Sequence, residues 1–308
     1  MSLELTGLHK EVISGLTAGT VTTVVTHPLD LIKVRLQLLA MTKPSEGYRE
    51  VLKYIAQDSR NSSGFLREAY RGLGVNLIGN SIAWGLYFGL YRYSKDIVFR
   101  LWADESLYST NSFQNDKQMG ALLYMTSAGI SGLTTTILTN PIWVVKTRIM
   151  STSVGARGSY RSTWDGIKKL YKSDGVKGFW KGMIPSLFGV TQGALYFAVY
   201  DSLKHQYFAA KHIDAEQKLG NLETITITSL SKMISVTAVY PFQLLKANLQ
   251  SFEASVDHNS YRLWSVIHSI YSKEGVKGLY KGLSANLLRA IPSTCITFCI
   301  YENLRHSL

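Results

Sequence analysis

The stretch Pro28-Leu29-Asp30-Leu31-Ile32-Lys33-Val34-Arg35 returns as Pro141-Ile142-Trp143-Val144-Val145-Lys146-Thr147-Arg148, and again as Pro241-Phe242-Gln243-Leu244-Leu245-Lys246-Ala247-Asn248. Each copy carries a lysine five residues after its proline. Each is closed further on by an aromatic-basic-glycine triplet: Tyr70-Arg71-Gly72, Trp180-Lys181-Gly182 and Tyr280-Lys281-Gly282. Units starting at 28, 141 and 241 are too long for solenoid repeats, which run roughly 20–50 residues. The reading is one structural module built three times, over 1–108, 109–215 and 216–308, within one structural domain.

Charge is distributed unevenly along the 308 residues. No Asp, Glu, Lys or Arg occurs in 12–29, 72–91, 118–145 or 182–200, while 224–245 carries only Lys232 and 282–301 only Arg289. A bilayer core takes about 20 helical residues to cross. Backbone polar groups in hydrocarbon must pair internally, so spans of this kind are helices. The prediction is an all-α membrane protein with six transmembrane helices, two per repeat. Mean hydropathy is only +0.03, and the runs are rich in Ser, Thr, Asn and Gly. Buried helices of a large soluble protein are the plainer reading. A bundle round a polar, water-accessible cavity accounts better for the mixture. Gly15/Gly19 and Gly129/Gly132 suit close helix packing in lipid.

Segments joining the two spans within a repeat (38–71, 149–181, 251–281) hold 17 Lys/Arg, against 7 in the segments between repeats (92–117, 201–223). Short basic loops stay on the side from which insertion occurs. In an inner mitochondrial membrane that side is the matrix, which puts both termini in the intermembrane space. The net charge of +12 comes without zinc-finger spacing or an aromatic-interleaved basic patch, which argues against nucleic acid. Cys295 and Cys299, four apart on one span, are expected to pack rather than form a disulfide, and they offer no metal framework. The first residues do not read as an Arg-rich leader.

A helix-interior proline removes a backbone hydrogen bond and kinks its helix. Kinks at Pro28, Pro141 and Pro241 let three helices converge and close one end of a cavity. Positions two and five beyond each proline would then meet as a ring of ion pairs. That ring is incomplete: Lys33, Lys146 and Lys246 face Asp30, Trp143 and Gln243, leaving a formal +2. Amphipathic stretches at 49–58, 160–172 and 261–273 read as short helices along the membrane surface, with Gly64, Gly175 and Gly275 leading the return. The even spans end in aromatic-acid-x-x-base at Tyr200-Asp201-Ser202-Leu203-Lys204 and Tyr301-Glu302-Asn303-Leu304-Arg305, whereas repeat one has Tyr91-Arg92-Tyr93-Ser94-Lys95.

These motifs together resemble the mitochondrial carrier family over the whole chain. The resemblance implies three pseudo-threefold repeats, each with a short matrix-side amphipathic helix, alternating between cytoplasm-open and matrix-open states. It implies a matrix gate of Asp30, Lys33, Lys146, Lys246, Trp143 and Gln243, with Asp30 bridging Lys146 and Gln37 and Gln250 as braces. It implies a cytoplasmic gate of Lys95, Asp201, Lys204, Glu302 and Arg305, braced by Tyr91, Tyr200 and Tyr301. The tryptophan at 143 is similar to the subgroup of carriers that moves FAD, folate, NAD and pyrimidine nucleotides. The stretches from Leu187 to Phe197 and from Ala290 to Phe298 look most like its FAD-carrying members.

By position in the even helices, Arg289, Gly189, Val190, Gly79, Asn80, Trp84 and Gln192 are the candidate cargo contacts. An intramembrane arginine is costly and marks function. Arg289 reads either as a structural ion pair inside the bundle or as a contact to an anion, whose diphosphate a guanidinium can hold with paired hydrogen bonds. A bare Gly189 would leave a flat slot for adenine. Trp84, Tyr87 and Phe88 could stack on a ring or simply pack. Trp143 is a space-filling plug or a stacking surface. The expected function is alternating-access transport of FAD, as cargo and not as cofactor, across the mitochondrial inner membrane. Folate, NAD or a pyrimidine nucleotide are the alternatives, and a proton-leak protein or membrane scaffold the different class. No HExxH, GxSxG, P-loop or dinucleotide fingerprint points to an enzyme. The family resemblance further implies a functional monomer in the bilayer, with cardiolipin at the matrix-side helix ends and no metal.

Overall fold

The computed structural model describes residues 7–43, 45–60, 64–102, 121–152, 159–160, 162–211, 220–251 and 263–307. Six long helices account for most of these: α1 (Gly7–Thr42), α4 (Leu73–Trp102), α5 (Ala121–Ser151), α7 (Met183–Lys211), α8 (Asn221–Gln250) and α10 (Leu283–Ser307). Short helices stand between the members of each pair: α2 (Tyr48–Asp58) and α3 (Phe65–Ala69), α6 (Thr163–Asp174) and α9 (Leu263–Glu274). α1, α5 and α8 each run through their proline as one helix.

The helices absorb their polar residues locally. Thr26 donates its hydroxyl to the Thr22 carbonyl at 2.8 Å, Ser131 to Ser127 at 2.7 Å, Ser186 to Gly182 at 2.8 Å and Ser231 to Ile227 at 2.7 Å. A hydroxyl bonded one turn back along its own helix asks nothing of the surroundings. That is how spans rich in Ser and Thr remain compatible with hydrocarbon. By length and composition alone, the segment Val176–Lys211 is the described stretch apolar enough to cross a membrane.

The described residues group into two compact units, one of residues 1–79, 142–181 and 247–308, the other of 80–141 and 182–246. In the first, α1 packs along α10. The short helices each bury one apolar stripe within this unit, Val51 and Ile55 from α2, Leu170 from α6, Val266 and Ile270 from α9. Val51 and Ile55 join Leu31, Leu36, Leu39, Met150 and Ala285 in one core. Leu170 joins Val75, Val144, Val145, Ile149 and Tyr160 in another. α6 is capped by Ser162, whose side chain accepts from the Asp165 amide at 3.2 Å, and α2 by Glu50, which accepts from the Gly47 amide at 2.9 Å.

The glycines of the triplets have a backbone reason. Gly72, Gly182 and Gly282 sit at φ of 80°, 68° and 83°, and Gly175 and Gly275 at 64°. Only glycine adopts that region cheaply. Each return to an even helix therefore turns on two left-handed residues, Gly64 with φ 82° taking the place in repeat one.

In the second unit, the bare face of Gly132 on α5 receives Val190 of α7, whose Cγ1 lies 2.8 Å from where a Cβ on Gly132 would stand. Phe188 and Phe242 stack at 4.8 Å between ring centres, joining α7 to α8.

Candidate functional site

α1 and α10 run antiparallel in a fixed register. The Thr22 and Thr297 hydroxyls meet at 2.9 Å, and Asp30 Oδ1 meets Arg289 Nε at 3.0 Å, eight residues further along α1 and eight residues back along α10. Both charged side chains are largely withdrawn from solvent, 16% exposed for Asp30 and 29% for Arg289. Asp30 is expected to bridge Lys146; its ion-pair partner is instead Arg289. The physical reason lies in Trp143, one helical turn before Lys146. Its ring holds the Lys146 ammonium 5.3 Å from its centre, a cation–π contact that the usual acid at 143 could not supply.

Trp143 itself fills space. A Cβ on Gly79 would stand 3.4 Å from the Trp143 ring and 2.9 Å from Ile142. The absent side chain at Gly79, expected as a cargo contact, serves the approach of α4 to α5. Val190 likewise packs on Gly132 rather than lining a cargo slot. Gln192 and Gln243, predicted in different sites, are bonded to each other: Gln243 Nε2 donates to Gln192 Oε1 at 2.9 Å. Gly189 differs from these, with no atom within 4 Å of a Cβ built on it. Asn80 is half-buried. Trp84 is 60% exposed and stacks on Phe88 at 5.6 Å.

Further along the even helices, two ladders share one spacing. Tyr87 stacks on Tyr91 at 5.9 Å, with the Lys95 ammonium 5.4 Å from the Tyr91 ring and 5.8 Å from Tyr124 of α5. Tyr196 stacks on Tyr200 at 6.3 Å, with Asp201 the next residue and Lys204 one turn beyond Tyr200. The side chains of Tyr301, Glu302 and Arg305 lie outside the described residues. Cys295 and Cys299 carry free thiols that are exposed, not packed as expected.

Gln250 donates from Nε2 to the Lys181 carbonyl at 3.3 Å, and the Thr147 hydroxyl lies 3.1 Å from its Oε1. The Gln37 carbonyl accepts from Asn248 at 3.0 Å. Lys33 and Lys246 are half-buried.

The motif arginines have partners that sequence reasoning missed. Arg148, 1% exposed, pairs with Asp174 and donates to Tyr160 Oη and the Gln250 carbonyl, each at 3.3 Å. Asp174 also takes Lys181 at 3.1 Å. Burial pushes the Lys181 ammonium down to about 8, opposed by the Asp174 carboxylate. Burial works against ionisation of Asp174, yet the Arg148 charge outweighs it and holds the carboxyl below its usual range. In repeat one Arg35 pairs with Glu68 at 3.2 Å and Asp58 at 3.5 Å. In repeat three Asn248 replaces the arginine, and Glu274 pairs with Lys281 at 2.9 Å. In repeats two and three the signal available was an acid placed just before a turn glycine, seven residues ahead of the triplet's lysine; in repeat one Glu68 instead follows Gly64 by four residues.

A family model described as mitochondrial carrier protein matches residues 6–101, 117–211 and 217–308. The chain is 56% identical over 307 residues to the mitochondrial FAD carrier protein of Saccharomyces cerevisiae, covering 98% of each. It is 31% identical to the mitochondrial nicotinamide adenine dinucleotide transporter 1 of the same yeast, over 96% of this chain and 76% of that one. It is 29% identical to the chloroplastic folate transporter 1 of Arabidopsis thaliana, over 94% of this chain and 92% of that one.

Proposed function

This chain belongs to the mitochondrial carrier family, and on that premise we propose that it moves FAD across the mitochondrial inner membrane by alternating access. The observation that carries the cargo is the end-to-end identity with the yeast FAD carrier. It is a transporter and not an enzyme, and FAD is what it carries, not a bound cofactor. NAD and folate carriers share far less of its sequence and define the second reading.

Arg289 is the contact we propose for the cargo's diphosphate, and the bare Gly189 and the ring of Trp84 are each proposed as a contact for a flat ring. A guanidinium holds a diphosphate through parallel charged hydrogen bonds. Asp30, Lys33, Lys146 and Lys246 belong to the matrix gate, and Tyr91, Lys95, Tyr200, Asp201, Lys204, Glu302 and Arg305 to the cytoplasmic one. Both termini face the intermembrane space, cardiolipin sits at the matrix-side helix ends, and the monomer is the working unit. Uptake of labelled FAD into liposomes tests the reading, with folate and NAD as competitors. Transport of folate or NAD in place of FAD overturns the cargo assignment. No transport of any of them leaves a scaffold or leak protein.

A further inference from the structure

The Asp30–Arg289 pair joins two residues that the functional reading puts in different places, one at the gate and one at the cargo. Its surroundings hold an excess of positive charge. Within reach of the Asp30 carboxylate no second acid appears among the described ion pairs. Arg289 takes the carboxylate at 3.0 Å, while Lys146 rests over the indole of Trp143.

We propose that Asp30 is the internal counter-anion of Arg289, which the cargo's diphosphate displaces, and that the displaced carboxylate then passes to Lys146. This rests on the reading of an anionic diphosphate cargo. A carboxylate and a phosphate present the same oxygen geometry to a guanidinium, so one substitutes for the other. Without cargo the three groups Asp30, Arg289 and Lys146 sum to +1. A diphosphate with two negative charges brings them to −1, with each cation paired. Lys146 is already oriented by Trp143, where a cation–π contact in place of an ion pair is readily given up. Cargo seated from the matrix side therefore forms the ion pair on which closure of that gate depends, and an intramembrane arginine is never left with no anion. Trp143, at the position of a missing acid, is the residue that makes the exchange feasible.

A double-mutant cycle in purified protein tests this, with dissociation constants measured for FAD and for inorganic pyrophosphate. Asp30→Asn is expected to tighten pyrophosphate binding about ten-fold by removing the competitor, and to lower FAD turnover. In an Arg289→Gln background the same change is expected to do nothing to affinity. Equal tightening in both backgrounds reduces Asp30 to a diffuse negative charge and overturns the proposal, as does no tightening in either. Should Asp30→Asn not fold, Asp30→Glu retains the counter-anion and is expected to stay within about two-fold of the parent in affinity; tightening beyond that overturns it. A parent protein that binds pyrophosphate with the expected cycle but ignores FAD would refute the cargo assignment while leaving the exchange intact.

Discussion

Gln243 Nε2 lies 2.9 Å from Gln192 Oε1, so the position that carries a carboxylate in repeat one carries in repeat three an amide tied to the neighbouring helix. The bond is uncharged and brings no carboxylate to this position. Gln243→Glu replaces the donor to Gln192 Oε1 by an acceptor, which the Gln192 amide meets by turning its Nε2 toward it, and adds a negative charge beside the gate lysines. It is expected to raise the melting temperature and slow FAD exchange, most of all when combined with Trp143→Asp. Faster exchange in the double variant would refute the role given to the unbalanced ring.

Asp174 serves two cations, Arg148 and Lys181, whereas Glu274 serves Lys281 at 2.9 Å where the arginine is replaced by Asn248. Removing one partner of a buried pair costs about 3–5 kcal/mol because a charge is left unpaired. Asp174→Asn is expected to lower the unfolding midpoint in detergent well beyond Glu274→Gln. Equal losses would show that Arg148 finds another anion.

Lys181, pushed down to about 8 by burial, ties stability to pH. Between pH 8 and about 10.4 the unfolded chain keeps this proton and the folded chain has lost it. The unfolded state binds more protons, so this group's contribution to stability rises with pH through that window. Below pH 8 both states are protonated and the contribution is flat. Lys181→Met is expected to remove the rise, read as the difference in melting temperature between parent and variant at pH 7.5 and 9.5. Asp174 stays ionised throughout and adds no slope there.

Gly189 and Gly182 separate cargo space from backbone geometry. No atom lies within 4 Å of a Cβ on Gly189, so Gly189→Phe is expected to leave the melting temperature near that of the parent. In the proposed slot it should raise KM for FAD at least about ten-fold, which corresponds to about 1.4 kcal/mol. Gly182, at φ 68°, shows the reverse: Gly182→Ala is expected to cost about 1–2 kcal/mol of stability with KM unchanged. An unchanged KM for Gly189→Phe would remove that residue from the site.

The modules, their helices and both turn glycines were legible in the sequence, because proline, glycine and charge spacing act over a few residues. Partners were not. Val190 and Gly189 are neighbours in the chain, yet successive helical residues point about 100° apart, so one meets Gly132 and the other meets open space. Asp30 reads from its motif as a gate acid, but the partner it has in the structure, Arg289, sits on the last helix, and only the α1/α10 register brings them together. Arg35 and Arg148 stood in the motif without a role until the acids near the turn glycines were seen beside them.

That register has a topological corollary. With Thr22 opposite Thr297 and Asp30 opposite Arg289, the start of α1 and the finish of α10 lie at one end of the same helix pair. Two segments at opposite extremes of the sequence are thus side by side, so the pairing that seals the first unit forms only after the last helix has been made.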